Sequence, residues 1–102
     1  MVKVIAPIKY EVNIDIHIIK LLHEADLYTL SLSELRRNVA ATDQVLNEHL
    51  DQLSTWNIIY DEKPKGNGKA RKISLTLNYF EATEILVAIK NSIETINKYF
   101  TI

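Results

Sequence analysis

The chain contains no cysteine. Disulfides and thiolate metal sites are therefore excluded, and His17, His23 and His49 are the only nitrogen ligands a metal could find. His17 and His23 stand six residues apart, on different faces of a helix, with no partner at ligand spacing, so neither a metal nor another cofactor is expected. Glycine is almost as scarce, and both glycines fall within Gly66-Asn67-Gly68. Few glycines and many isoleucines make a stiff, β-branched chain that would suit a thermophile. No long apolar run is present to suggest a membrane span. The N-terminal VKVIAP is too short for a signal peptide and is broken by Pro7, so a cytoplasmic location is expected. No Ser-His-Asp or paired-carboxylate arrangement stands out, and Gly66-Asn67-Gly68-Lys69 lacks the spacing of a phosphate loop. Catalysis is not expected.

What the chain does have is an uneven distribution of charge. The net charge is −1, yet residues 63–72 carry Lys63, Lys65, Lys69, Arg71 and Lys72 and no acid. The remaining 92 residues then hold 7 basic and 13 acidic groups, a net of −6. A near-neutral protein with one concentrated basic loop is steered by that loop. With 47% hydrophobic and 25% charged residues, the composition is that of a globular domain.

Residues 1–12 alternate loosely around Pro7 and fit an edge strand or an arm that packs on a partner subunit. From Asn13, a plausible cap, Ile14, Ile18, Leu22 and Ala25 share one helical face that Ile19 and Leu21 widen. That helix should end near Glu24 or Ala25, and Asp26 to Leu32 has room for a short strand. Ser31 or Ser33 then caps a second helix with Glu34 in its first turn and Leu35 and Val39 inward. Ala40-Ala41 turns into a third helix, Thr42 to Trp56. Thr42 caps it, Leu46, Leu50 and Leu53 form its apolar stripe, and Val45 and His49 flank them. Asn57 stands where this helix must stop, because Asn tolerates the left-handed conformation.

Ile58-Ile59-Tyr60 continues as a strand, and Lys72 to Leu77 alternates as the returning one. Gly66-Asn67-Gly68 supplies the tip of the hairpin between them. Asn78 to Glu81 resembles a capping box and opens a last helix to about Phe100. Ala82, Leu86, Ile89, Ile93, Ile96 and Phe100 follow alternating steps of four and three, a coiled-coil seam. A second row, Ile85, Val87 and Tyr99, makes more than one face apolar, which points to a homodimer with Leu86, Ile89, Ile93, Ile96 and Phe100 at its interface.

This order, with SELRR at 33–37, LNEHLDQL at 46–53, Asn57-Ile58-Ile59 and SLT at 74–76, resembles the winged helix-turn-helix regulators of the ArsR-like, MarR-like and PadR-like types found in archaea and bacteria. The resemblance covers residues 13–100. It implies an α+β fold: a winged helix-turn-helix domain at 13–77, with a three-helix core and a β-hairpin wing, followed by a C-terminal dimerisation helix at 78–102. It further implies a dimeric double-stranded DNA-binding transcriptional regulator whose helix 42–56 enters a major groove while the wing grips phosphate. Asn57 replaces the family's usual glycine at the helix exit. Glu48 stands where the family often has Arg or Lys.

Under that reading Gln44 and Asn47 are the base readers, since both can pair bidentately with adenine. Phosphate contact falls to Arg36, Arg37, His49, Lys63, Lys65, Lys69, Arg71 and Lys72. Arg36 and Arg37 have an alternative use, as surface ion pairs with Glu34 or a neighbouring acid. The third helix also carries Asp43, Glu48 and Asp51, which repel phosphate. Those acids support a competing reading, a winged-helix module that binds a protein partner through them.

Overall fold

A computed structural model describes residues 6–62 and 71–100. Lys63, Lys65 and Lys69 lie outside the described residues, as does the hairpin tip. The fold is α+β, with four helices and a small antiparallel sheet among the described residues. Helix α1 spans Val12–Glu24, a single 3-10 turn Asp26–Tyr28, strand β1 Thr29–Ser31, α2 Leu32–Asn38, α3 Asp43–Thr55, β2 Ile59–Glu62, β3 Lys72–Leu75 and α4 Tyr79–Phe100. The strand order is β1-β3-β2. The pair α2–α3 is thus inserted between two edge strands, and β3 returns between them.

Local chemistry sets most of the boundaries. Ser31 accepts the backbone N–H of Glu34, and Glu34 reaches back to Ser31, a complete capping box. Thr42 accepts from the Val45 N–H and starts α3. At the other end of α3, Asn57 adopts φ 58°. The Ile58 N–H reaches Leu53 and the Asn57 N–H reaches Ser54, the paired bonds of a Schellman motif, with Leu53 and Ile58 both buried beneath it. Asn78 accepts from the Phe80 N–H and opens α4.

Two boundaries differ from the sequence reading. Asn13 does not cap α1, which begins one residue earlier behind Glu11; Asn13 lies in the first turn and its side-chain oxygen accepts from Lys90 of α4. The returning strand stops at Leu75 rather than Leu77, because the Thr76 N–H turns aside to the Ile58 carbonyl.

One core joins all the elements. Ile18, Ile19 and Leu22 of α1 meet Leu35, Leu46, Leu50 and Leu53 of the α2–α3 pair, Ile59 and Ile73 of the sheet, and Ala82 and Leu86 of α4. The first half of α4 therefore completes the core of the preceding residues. Leu86 is fully buried within its own chain, so it is withdrawn from the expected dimer interface. Ile89 and Ile93 also pack against this core. The described part of the N-terminal arm lies on its own chain as well: the Asn97 side-chain amide donates to the Ile8 carbonyl and accepts its N–H, at 3.0 and 2.8 Å.

Candidate nucleic-acid interface

The alternation of β2 places Ile59 and Asp61 on the inward face and Tyr60 and Glu62 on the outward one. Asp61 is thereby carried towards α3, where its side chain is only 3% exposed. A buried carboxylate needs a cation, and Arg71, just before β3, supplies it. The Arg71 Nε donates to Asp61 Oδ1 at 2.8 Å and Nη2 donates to Oδ2, a bidentate fork. Its remaining arm, Nη1, donates to Asn47 Oδ1 on α3 at 2.7 Å. The Asp61 bonds hold the Arg71 pKa above its ordinary value, so the guanidinium stays charged. Arg71 thus ties the base of the hairpin to the middle of α3.

Two expected roles change as a result. Arg71 spends its charge on Asp61 and is withdrawn from the phosphate set. Asn47 gives its side-chain oxygen to Arg71, which fixes its amide against the hairpin base, whereas Gln44 is held only by a weak bond to an exposed acid of its own helix.

A third role changes more completely. His49 is 5% exposed, and its Nδ1 lies 3.0 Å from Oδ1 of the fully buried Asp15 of α1. It faces the core, not a phosphate, because it follows the apolar stripe of Leu46, Leu50 and Leu53. Tyr10 of the arm covers the pair, its ring 4.5 Å from His49 and edge-on to Trp56 at 6.0 Å. The Tyr10 hydroxyl and Asp15 Oδ2 are buried oxygens without a well-formed hydrogen bond. They are near enough for the carboxylate to add to the effect of burial in raising the Tyr10 pKa. Burial likewise raises the Asp15 pKa, against the opposing effect of Tyr10 and His49.

The sequence reading missed Asp15, Tyr10 and Asp61. Asp15 left one signal: it interrupts an apolar row at helical spacing from Val12, Ile18, Ile19 and Leu22, just as His49 interrupts the row on α3.

On the exposed side, the Arg36 Nε meets Asp43 Oδ1 at 2.7 Å, linking α2 to the first turn of α3. Gln44 Nε2 donates to Glu48 at 3.3 Å one turn along. Arg37 Nε turns back to the Ser33 carbonyl at 3.4 Å, a weak bond that leaves its charge on the surface. Lys72 is exposed on the outer face of the sheet. Asp43, Glu48 and Asp51 are all exposed on α3. The described part of this face is therefore polar and largely acidic, with Arg36 neutralised locally.

Farther along α4, Ile96 is half-buried and Phe100 is 44% exposed. Tyr99 is exposed beside them, and Ile85 and Val87 are exposed nearer the start of the helix. Among the described residues there is no group of three metal-ligating side chains, and no helix long and apolar enough to cross a membrane. No family model, curated protein or solved structure matches the chain.

Proposed function

We propose that this chain is a winged helix-turn-helix regulator of transcription in the cytoplasm, binding double-stranded DNA as a homodimer. The observation that carries the reading is the Arg71 bridge between Asp61 and Asn47. It joins the base of the hairpin to α3, so the loop that connects β2 to β3, with Lys63, Lys65 and Lys69, starts from a base fixed to that helix. Phosphate grip then belongs to those three lysines with Lys72 and Arg37. Gln44 is the base reader, and Asn47 positions Arg71.

The test is DNA binding measured across salt concentrations, comparing the wild type with a Lys63→Gln, Lys65→Gln, Lys69→Gln variant that leaves Arg71 intact. Three lost phosphate contacts should reduce the log–log salt slope by about 2.7. An unchanged slope would remove the loop as the anchor.

A second reading, a winged-helix module that binds a basic protein partner, is favoured by the exposed Asp43, Glu48 and Asp51 on α3. Glu48→Lys with Asp51→Lys separates the two. The double variant should bind DNA more tightly if a duplex is the target, and should lose the partner if a protein is.

A further inference from the structure

At the end of the molecule formed by the C-terminus of α1 and the start of α4, four aromatic rings gather outside the core. His23 stacks on Tyr79 with centroids 4.4 Å apart and planes 14° from parallel. Tyr28 lies nearly parallel to His23, 8° off, at 6.0 Å. Phe80 stands across Tyr79 at 5.8 Å and 66°. These rings and the chain at 75–78 enclose a cavity of about 310 Å³, open to solvent.

The backbone that presents Tyr28 is strained. Leu27 and Tyr28 are consecutive non-glycine residues at φ 55° and 53°, the left-handed region that a Cβ disfavours. The strain secures no burial, since Leu27 is 91% exposed and Tyr28 53%. Phe80 is 76% exposed at the same mouth. Stability of the fold does not account for a strained backbone that presents Tyr28, with Tyr28 and Phe80 both uncovered at one cavity, and strain of this kind is characteristic of binding sites. The floor is fixed: the Thr76 N–H is bonded to Ile58 and its hydroxyl donates to Asn57 at 2.6 Å.

The chemistry of the walls selects the ligand. Nearly parallel ring faces suit a flat molecule, and the volume is at the lower end for a small-molecule site, enough for one or two rings. Rings alone could also cage a cation, but no carboxylate lines the cavity to balance one. The N-terminus of α4 lies at its edge and favours an electron-rich or anionic group. We propose that this cavity binds planar aromatic molecules of one or two rings, neutral or singly anionic. The site does not depend on the chain's binding DNA.

The test is a titration of the full chain followed by amide NMR, with indole and benzoate as probes and cyclohexanecarboxylate and tetramethylammonium as contrasts. Indole and benzoate should shift the amides of Tyr28 and residues 76–80 saturably. Phe80→Ala should weaken both about five- to tenfold, the loss of one ring contact. Phe80 is exposed, so this variant should fold as the wild type does. Tyr60→Ala, an exposed tyrosine on the hairpin, should change nothing. The proposal is overturned by the absence of a saturable shift up to about 10 mM. Equal binding of cyclohexanecarboxylate, or preference for tetramethylammonium, would also overturn it. So would shifts of these amides with protein concentration alone, which would assign the patch to a second copy of the chain.

Discussion

Asp15 carries a carboxylate into the core and finds His49 there, so its titration is linked to folding. Burial raises its pKa in the folded chain above the ordinary value of 3.8. The folded state therefore holds this proton more tightly than the unfolded state. The stability that Asp15 contributes is full below about pH 3.8 and is lost as the pH rises through the native value. Urea unfolding of the wild type and Asp15→Asn between about pH 4 and pH 7 should show the wild type losing ground to the variant as the pH increases. A difference that moves the other way would mean that pairing with His49 outweighs desolvation. Asn57 gives a second test at this scale. Asn57→Ala should cost about 1 kcal/mol, because alanine lacks the tolerance for φ 58°, whereas Asn57→Gly should be close to neutral in the same measurement.

At the scale of elements, the hairpin and α3 are held together by one side chain. Arg71→Ala would leave the Asp61 carboxylate buried and unpaired, at a cost of about 3 kcal/mol in chemical denaturation. Arg71→Lys should recover only part of that, since an ammonium cannot reproduce the bidentate fork and the bond to Asn47. The α2 helix is short, with 7 residues, and depends on its capping box. Ser31→Ala should lower stability by about 1 kcal/mol, read in the same way.

The whole molecule is longer than a compact chain of this size. Its radius of gyration is 15.4 Å, against about 13 Å for a typical 100-residue domain. The 22-residue α4 covers the core mainly with its first half, while the second half has the arm for cover and keeps Tyr99 and Phe100 exposed. A second copy paired along Ile96, Tyr99 and Phe100 would bury that surface. Sedimentation equilibrium should give twice the 11.7 kDa chain mass for the wild type and the single mass for Ile96→Glu with Phe100→Glu, helical content being retained in both. A monomeric wild type at micromolar concentration would exclude this interface.

Periodicity and capping chemistry are local, and they were legible in the chain. Leu46, Leu50 and Leu53 mark a buried face by spacing alone, Thr42 and Ser31 cap because of what their side chains accept, and Asn57 ends α3 because few other residues tolerate its backbone. The site depended on partners distant in sequence. Asp15 and His49 are 34 residues apart, and Asn47 and Arg71 are 24 apart. A count of cations could mark 63–72 as basic, but not that Arg71 is already paired with Asp61. The seam on α4 was equally ambiguous, since an apolar stripe is the same whether it meets its own core or another chain. Sequence by itself determined which faces are apolar and where helices begin and end, except at the start of α1, where no side chain caps the helix. Tertiary structure decided which polar groups are consumed inside the molecule and which remain for a partner, because that depends on what packing brings within hydrogen-bond reach.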